Sequence, residues 1–317
     1  MASVLACVAV LAFATTSVGA PASIGSGTPS TSITAGSDTI GTITTGGFIR
    51  TYLLHIPAGL SGSVKVPLLL VFHGHGEHPP HIETLTGFDE LANIHNFIVV
   101  YPQGVDNSWN DGRGATAAQQ LHVNDVAFVQ VLVRHLEANY NIDPKRVYAT
   151  GFSNGGMLTE RLACQLANLV AAVAPVAGPI AQPIIRHCHS SRPISVFEVQ
   201  GTSDPEVLYG GGKVQSSVGG PVSSEHATIN VWAARDGCRK RPYLAILPDA
   251  PSDGTGVVEL RYAHCSGGTA IDAVSIIHGT HMWPSSTASR DSASPRDLGV
   301  DFDLSASVWA FLSQFHL

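Results

Sequence analysis

Short apolar runs and longer amphipathic runs alternate along most of the chain. Residues 66–73 and 97–101 are almost continuously apolar, which is typical of strands buried on both faces of a sheet. Residues 123–140 carry apolar side chains at helical spacing and predict a mostly buried helix. The remaining runs predict strands at 48–56, 146–150, 171–176, 194–200, 257–263 and 274–278, and helices at 88–95, 156–164, 225–236 and 304–315.

This order of elements predicts the fold class. Strands that alternate with helices are typical of an α/β protein with a mainly parallel sheet and helices on both faces. No internal repeat or long linker divides residues 47–317, so we expect a single domain there. In such a fold the loops that leave the carboxyl ends of the strands bind ligands. Functional residues are therefore expected in those loops.

The N-terminal residues have the pattern of an export signal. Residues 1–20 contain no charge, carry an apolar run from Val4 to Ala14, and end in small residues up to Ala20. We expect cleavage after Ala20, since the run is too short for a membrane span. Residues 21–46 are rich in Ser, Thr, Gly and Pro, and form either a leader without regular structure or a loose first strand. The mature protein is then secreted and free of the membrane.

Composition and charge exclude one class of partner. The chain has 317 residues, with 17 Lys and Arg against 24 Asp and Glu, and a formal net charge of −7 at pH 7. No run of Lys or Arg occurs anywhere in it. Because a nucleic-acid partner requires a basic patch, none is expected.

Four cysteines remain after the expected cleavage, namely Cys164, Cys188, Cys238 and Cys265. An even number of cysteines in an exported chain indicates two disulfides. Three pairings are possible, and the sequence alone does not choose among them. The positions of the cysteines along the predicted elements make Cys164–Cys188 and Cys238–Cys265 the most economical pairing.

The pentapeptide Gly151-Phe152-Ser153-Asn154-Gly155 joins a predicted strand to a predicted helix. A Gly-x-Ser-x-Gly sequence in this position is typical of a nucleophile elbow, in which the serine has a strained backbone and an exposed hydroxyl. The flanking glycines let neighbouring chain approach without a Cβ clash. Ser153 is therefore the candidate nucleophile, with a plain glycine turn as the alternative.

A serine hydroxyl needs a base, and the base needs an orienting carboxylate. After an elbow of this kind the expected chain order is Ser, then Asp or Glu, then His. Asp204 lies in a Gly/Pro turn just after the strand at 194–200, and His281 lies in the loop after the strand at 274–278. We therefore take Asp204 and His281 as the partners of Ser153. The alternatives are an ordinary turn aspartate and, for the base, the nearby His278.

Two backbone N–H groups are candidates for stabilising negative charge on a reacting oxygen. One belongs to Asn154, and the other to His75 in the glycine-containing loop that follows the strand at 66–73. A metal site is the alternative for this loop, because four histidines cluster there: His73, His75, His78 and His81. Zinc sites usually include Cys or carboxylate ligands, so we favour the oxyanion interpretation and expect no metal and no cofactor.

Several segments are similar, in the same order, to secreted esterases grouped with polyhydroxybutyrate depolymerases and feruloyl esterases. The segments are Leu68–Gly76, Val99–Gly104, Ser108–Gly112, Asn124–Phe128, Tyr140–Gly156, Ala174–Gly178, Gln200–Pro205 and Gly279–Pro284. The chain thus resembles this family over residues 47–316. The resemblance implies an α/β-hydrolase fold, a triad of Ser153, Asp204 and His281, an oxyanion hole at Asn154 and His75, and a Cys238–Cys265 bridge.

Two tryptophans are candidate substrate contacts. The loop around Trp109 lines the substrate cleft in this family, so the resemblance implies a substrate contact there, with a structural role as the alternative. Trp283, next to the candidate base, is expected either to form a wall of the pocket or to pack against the core. The chain also departs from the family pattern, because His75 stands where many relatives have a smaller or sulfur-bearing residue. This departure implies a differently shaped acyl pocket.

The expected function is that of a monomeric, secreted serine carboxylesterase whose partner is an ester substrate. One candidate substrate is a feruloyl or acetylxylan-type ester of plant cell-wall polysaccharide, and the other is polyhydroxybutyrate or a related polyester. No polymer-binding domain follows the catalytic unit in this sequence, which favours the polysaccharide ester. A catalytically inactive hydrolase fold used as a binding protein is the alternative of another class, and the presence of all three triad candidates argues against it.

Overall fold

The structure is a computed structural model that describes residues 36, 38–58, 60, 64–239, 241–247, 255–284 and 303–317. The predicted signal at residues 1–20 lies outside the described residues. The strands are β1 (Asp38–Thr45), β2 (Phe48–His55), β3 (Val66–Phe72), β4 (Ile98–Pro102), β5 (Ile142–Phe152), β6 (Ala172–Val176), β7 (Ser195–Gly201), β8 (Gly212–Lys213), β9 (Pro221–Val222), β10 (Tyr243–Leu247), β11 (Gly256–Tyr262) and β12 (Ile271–Ile277). The helices are α1 (Pro79–Thr86), α2 (Phe88–His95), α3 (Ala117–Gln120), α4 (Asp125–Asn139), α5 (Asn154–Gln165), α6 (Gln182–Ile185), α7 (Glu225–Arg235) and α8 (Leu304–Leu312).

Most of the strands in the described part of the chain form one large sheet. Its ten strands have the order β1-β2-β4-β3-β5-β6-β7-β12-β11-β10. The six central strands, from β4 to β12 in this order, are parallel to one another. The two strands at each end are antiparallel to their neighbours. The predicted mainly parallel sheet is therefore confirmed.

The sheet separates two apolar cores, because successive side chains of a strand point to opposite faces. In β3, Leu68 and Leu70 pack into the first core, and Leu69 and Val71 pack into the second. Helices α4, α5 and α7 contribute buried side chains to the first core, and α1, α2 and α8 contribute to the second. Helices thus cover both faces of the sheet, as predicted.

The two edge strands of the sheet, β1 and β10, have weak signals in the sequence. β1 lies within residues 21–46, for which a leader and a loose strand were the two interpretations, and it pairs with β2. Its side chains alternate between exposed and half-buried, so it lacks the apolar run of a buried strand. β10, at the other edge, exposes Tyr243, Leu244 and Ile246. Edge strands have few tertiary contacts, and their sequences carry a correspondingly weak signal.

The predicted strand and helix around Ser153 are both present and longer than the sequence indicates. β5 starts at Ile142 rather than Arg146, since Ile142 also pairs with Val66 ahead of a shift in register. α5 starts at Asn154, two residues before the predicted start. The strand therefore runs to Phe152 and the helix begins directly after Ser153.

Both disulfides have the economical pairing. Cys164 in α5 is bonded to Cys188, and Cys238 after α7 is bonded to Cys265. Each bridge ties a helix to the segment that leads into a central strand, β7 in the first case and β12 in the second. Among the described residues, no helix has both the length and the apolar character that crossing a membrane requires.

Candidate active site

The turn between β5 and α5 has the geometry of an elbow. Ser153 has φ of 54° and ψ of −115°, a conformation that is costly for a residue with a Cβ and that the surrounding structure must hold in place. Its N–H donates to the Val176 carbonyl oxygen at 2.8 Å, and its carbonyl oxygen accepts from the Met157 N–H at 2.9 Å. A Cβ on Gly155 would lie 2.7 Å from the His73 carbonyl oxygen, so the helix packs this closely only with glycine.

Asp204 and His281 form a direct pair. Asp204 follows β7, its side chain is fully buried, and its Oδ2 lies 2.7 Å from Nδ1 of His281. Oδ1 of Asp204 accepts the N–H groups of Glu206 and Val207, each at 2.8 Å. Because an ionised carboxylate only accepts, Nδ1 of His281 carries the hydrogen in this pair, and Nε2 of the neutral ring keeps its lone pair.

The loops that carry these two residues are fastened to each other and lie beside the elbow. The Ser203 N–H donates to the Gly279 carbonyl oxygen at 2.9 Å, and the His278 N–H donates to Oγ1 of Thr202 at 2.9 Å. The imidazole of His281 packs against the ring of Phe152, with 4.8 Å between centroids. The His281 ring therefore contacts the residue that immediately precedes the candidate nucleophile Ser153. His278, the alternative base, is exposed.

The two candidate oxyanion donors are both available. Asn154 is the first residue of α5, so its N–H has no acceptor within the helix. On either side of His75, the Gly74 N–H donates to Oε2 of Glu77 at 2.8 Å and the Gly76 N–H donates to the Asn107 carbonyl oxygen at 2.8 Å. The His75 N–H between them has no acceptor among the described residues.

His73 supports the loop instead of offering itself to a ligand. Its ring is fully buried; Nδ1 donates to the Gly74 carbonyl oxygen at 2.7 Å, and Nε2 accepts the Gly104 N–H at 3.0 Å. Burial lowers the pKa of His73 to about 4, so the ring is neutral at ordinary pH.

The loop histidines do not come together around a common point. In the described part of the chain, one group of His, Cys, Asp and Glu side chains is close enough to share a metal ion: Asp38, His55 and Asp89. None of the four loop histidines belongs to this group. The geometry thus favours the oxyanion interpretation of the loop over the metal interpretation.

Trp109 and Trp283 are both buried, and their contacts bear on whether they have a structural role or contact substrate. Trp109 has no exposed surface, and its ring packs against Phe72 and His73 with centroid distances of 5.3 and 4.8 Å. Trp283 is 3% exposed, and its Nε1 donates to Oγ of Ser305 at 2.9 Å. Side chains enclosed on all sides do not line an open cleft, so for both tryptophans the structural alternative is the one the structure favours.

A buried carboxylate, which the sequence reasoning missed, lies against the elbow. Oδ2 of Asp111 accepts from Nδ2 of Asn154 at 2.6 Å and lies 2.9 Å from Nε of Arg113. Burial raises the pKa of Asp111, and the guanidinium of Arg113 opposes that shift. Asp111 lies in the segment Ser108–Gly112, one of those by which the chain resembles the esterase family. The sequence, however, gives no indication that this aspartate is buried.

A second buried ion pair holds the other end of this loop. Nη2 of Arg50 lies 2.8 Å from Oδ1 of Asp125, and Oδ2 of Asp125 accepts the Asn110 N–H at 2.7 Å. From α5, Nη1 of Arg161 donates to the Asn110 carbonyl oxygen at 2.7 Å. The loop at 108–113 is thus held from both sides by charged groups.

A cavity of about 620 Å³ lies between α6 and the β8–β9 ribbon. Its walls include Ile185 and Arg186 on one side and Gly210 and Val222 on the other. α6 belongs to the loop that follows β6, and the ribbon belongs to the loop that follows β7 and contains Asp204. The cavity therefore lies among the loops at the carboxyl ends of the strands, where ligands bind in parallel sheets.

Three buried glutamates come together from α5, β7 and α7. They are Glu160, Glu198 and Glu225, and Oε2 of Glu160 accepts from Nε1 of Trp232 at 2.8 Å. Burial, together with the neighbouring carboxyls, raises the pKa of Glu225 to about 8 and that of Glu198 well above its ordinary value. Burial raises the pKa of Glu160 to about 7. No Lys or Arg in the described residues forms an ion pair with these glutamates, so no cation opposes the rise of their pKa values.

Two named relatives are esterases. The chain is 30% identical over 240 residues to feruloyl esterase B of Piromyces equi, a match that covers 73% of this chain and 42% of that protein. It is 35% identical over 156 residues to the bifunctional acetylxylan esterase/xylanase XynS20E of Neocallimastix patriciarum, which covers 49% of this chain and 22% of that protein. The matched part thus spans less than half the length of either relative.

A solved structure and a family model complete the comparison. The structure superposes on that of an acetyl xylan esterase from Aspergillus awamori with a TM-score of 0.54, at 13% identity, over 80% of this chain and 97% of the other. At this identity the likeness concerns the fold, and the expected α/β-hydrolase fold is confirmed. A model described as Esterase PHB depolymerase matches residues 50–237, more than half of the 317 residues. The chain therefore belongs to the Esterase PHB depolymerase family.

Proposed function

We propose that the protein is a secreted serine carboxylesterase that acts through an acyl-enzyme on Ser153. The observation that supports this proposal is the strained Ser153 at the elbow, together with a His281–Asp204 pair whose imidazole packs against the neighbouring Phe152. A nucleophile on a strained turn, a base with a free Nε2, and a buried orienting carboxylate are the three parts that ester hydrolysis by this route requires.

In the first half of the reaction His281 acts as the base. Its Nε2 takes the proton from Oγ of Ser153 as Oγ attacks the ester carbonyl carbon, and Asp204 stabilises the imidazolium that forms. The carbonyl oxygen becomes an oxyanion and accepts hydrogen bonds from the N–H groups of Asn154 and His75. When the tetrahedral intermediate collapses, the bond to the alcohol breaks and His281 gives its proton to the leaving alkoxide.

The second half repeats these steps with water. Nε2 of His281 takes a proton from water, which attacks the acyl carbon bound to Ser153. The same two N–H groups hold the second oxyanion, and the acid leaves as Oγ of Ser153 recovers its proton. Every proton in this cycle passes through His281, so the tautomer that Asp204 imposes is needed in both halves.

For the substrate we propose a feruloyl or acetylxylan-type ester. The support is the names of the two relatives. Polyhydroxybutyrate or a related polyester is the second candidate, and the description of the family model favours it. A catalytically inactive binding protein is a weaker proposal, because binding alone would not require the His281–Asp204 pair.

Secretion is part of the proposal. Two disulfides in a chain of this size are typical of an oxidising compartment, and residues 1–20 have the pattern of a cleaved signal. N-terminal sequencing of protein collected from the culture medium tests this. The expected first residue is Pro21, and an intact Met1 in a cell-retained protein would contradict it.

One comparison of substrates tests the activity and the substrate class together. The purified protein is incubated with methyl ferulate, acetylated xylan and a polyhydroxybutyrate film, and the released acids are quantified by chromatography. The proposal expects release of ferulate or acetate at a rate well above that from the film. Release from the film alone would move the assignment to a depolymerase, and no release from any ester would overturn the proposed activity.

A further inference from the structure

We propose that Trp109 is a positioning residue that joins the two halves of the oxyanion hole and fixes their separation. It does so by binding the side chain of Asn154 with its backbone and the carbonyl oxygen of His73 with its indole. This inference rests on the proposed function, since it concerns the geometry of the same hole. It also gives Trp109 a role different from the substrate contact that its position in the sequence implies.

On the elbow side, the backbone of Trp109 and the side-chain amide of Asn154 form a reciprocal pair. The Trp109 N–H donates to Oδ1 of Asn154 at 2.8 Å, and Nδ2 of Asn154 donates to the Trp109 carbonyl oxygen at 3.2 Å. Nδ2 also donates to Oδ2 of Asp111 at 2.6 Å. Asn154 is fully buried, so all three contacts are shielded from water. The residue whose backbone N–H is one oxyanion donor is thereby fixed to the loop at 108–113.

On the other side, the indole of Trp109 reaches the loop that carries His75. Its Nε1 donates to the His73 carbonyl oxygen at 2.8 Å, and its ring packs against that of His73. Two further bonds join the same loop to the segment just before Trp109: Gly104 N–H to Nε2 of His73 at 3.0 Å, and Gly76 N–H to the Asn107 carbonyl oxygen at 2.8 Å. The position of the His75 N–H therefore depends on the same segment.

The bridge itself has little freedom. Trp109 has no exposed surface, and its ring lies edge-on to Phe72 at a centroid distance of 5.3 Å. Its carbonyl oxygen also accepts from Oγ1 of Thr116 at 2.8 Å, so the backbone on which Asn154 depends is fixed from a second direction. The span from this backbone to the His73 carbonyl oxygen is bridged by a donor on the edge of a large flat ring, which tryptophan supplies while its ring packs against apolar neighbours.

The catalytic consequence follows from how an oxyanion hole works. Donors stabilise the transition state only when they already point to the place where the charge develops, and loss of one donor costs about 100- to 1,000-fold in kcat. A bridge that fixes the distance between the Asn154 and His75 N–H groups stabilises the transition state, in which the oxyanion is present. It leaves binding of the neutral ester nearly unchanged. A weakened bridge should therefore lower kcat and spare KM.

The test compares Trp109→Phe with Trp232→Phe in the full chain. Trp109→Phe keeps an aromatic ring and removes the Nε1 donor. We expect kcat on p-nitrophenyl acetate to fall about 10- to 100-fold, because a displaced oxyanion donor costs part of what the complete loss of that donor would cost. Trp232 is the matched control, because it is also fully buried and also donates from Nε1, at 2.8 Å to Glu160, but it lies outside this bridge. Trp232→Phe is expected to lose stability and to keep the kcat of its folded fraction.

Inhibition by phenylboronic acid supplies a readout that a merely structural role would not move. Boronic acids form a tetrahedral adduct with a catalytic serine, and one oxygen of the adduct occupies the oxyanion hole. We expect the inhibition constant in Trp109→Phe to rise by the same factor as kcat falls. A folded Trp109→Phe whose kcat and inhibition constant stay within twofold of the wild type would overturn the inference. A rise in KM alone would also overturn it, in favour of a substrate contact.

A second variant covers the case in which Trp109→Phe does not fold. Asn154→Ala removes the side chain that binds Trp109 and keeps the backbone N–H donor, so the same fall in kcat and rise in inhibition constant are expected. Unchanged values in this variant would overturn the inference. Failure of the proposed function is recognised separately, because activity retained in Ser153→Ala contradicts the nucleophile whatever the Trp109 variants do.

Discussion

Oδ2 of Asp204 lies 2.7 Å from Nδ1 of His281, while Oδ1 of the same carboxylate accepts two backbone N–H groups. The two oxygens therefore have different tasks: Oδ1 is anchored to the backbone of the turn, and Oδ2 faces the imidazole and also accepts from Nε2 of Gln200 at 3.1 Å. This division fixes which ring nitrogen of His281 carries the hydrogen, and it leaves Nε2 free to accept a proton from Ser153.

The variant Asp204→Asn tests this division. The two backbone N–H groups will select the Oδ1 of the new amide, which turns its NH₂ group towards Nδ1 of His281 and forces the hydrogen onto Nε2. A ring in that tautomer does not act as the base, so kcat should fall by about 10³- to 10⁴-fold with the fold intact. Hydrolysis of p-nitrophenyl acetate measures kcat, and thermal unfolding followed by circular dichroism shows whether the fold is intact. Turnover within tenfold of the wild type would contradict the tautomer argument.

The buried glutamates predict how stability depends on pH. A carboxyl whose pKa is raised by folding keeps its proton when the unfolded chain has lost it, so its contribution to the free energy of unfolding is complete below about pH 4. That contribution is lost as the pH rises towards the folded pKa, which is about 8 for Glu225.

Glu225→Gln removes one of these ionisations while keeping the shape of the side chain. The free energy of unfolding of the variant, relative to that of the wild type, should increase as the pH is raised from 5 to 8. At pH 8 the increase should be on the order of 1 kcal/mol or more, or about 2–4 °C in Tm. Glu90→Gln, an exposed glutamate in α2, is the control and should melt with the wild type at both values. A Tm difference for Glu225→Gln that does not change from pH 5 to pH 8 speaks against a proton held at this site.

The cavity beside α6 makes a prediction about substrate size. Gly210 has open space where a Cβ would be and does not have a positive φ, so Gly210→Phe should enter the cavity without backbone strain. If the cavity receives part of a polysaccharide ester, this variant should raise KM for a feruloylated oligosaccharide at least about fivefold and leave p-nitrophenyl acetate hydrolysis unchanged. The small ester is the internal control. Equal kinetics on both substrates would place the substrate elsewhere.

The elements and site residues that can be predicted from the sequence are those with strong local patterns. The Gly-x-Ser-x-Gly turn predicts the elbow, because a Cβ on Gly155 would lie 2.7 Å from the His73 carbonyl oxygen and only glycine avoids that clash. Asp204 and His281 follow from their position after buried apolar strands, and the structure pairs them. The same logic identifies the central parallel strands, whose apolar runs reflect burial on both faces.

What the sequence does not give depends on contacts between distant residues. Asp111 and Arg113 read as ordinary polar loop residues, and only the fold encloses them beneath the elbow. The local sequence around Trp109 and Trp283 does not show whether each side chain lines a cleft or fills a core. Their burial depends on residues that are distant in the chain. The strand β1 lies in a Ser- and Thr-rich segment and has no clear strand pattern, because a strand at the exposed edge of a sheet does not need an apolar run.

Replacement of Ser153 shows whether this residue is the nucleophile. Wild-type protein and Ser153→Ala are assayed with p-nitrophenyl acetate, and both are treated with a fluorophosphonate before peptide mapping by mass spectrometry. We predict a fall in kcat of at least about 10⁴-fold in a variant that melts like the wild type, and a covalent label on the wild-type peptide that contains Ser153. Near wild-type turnover in the folded variant, or a label on another residue, would show that Ser153 is not the nucleophile.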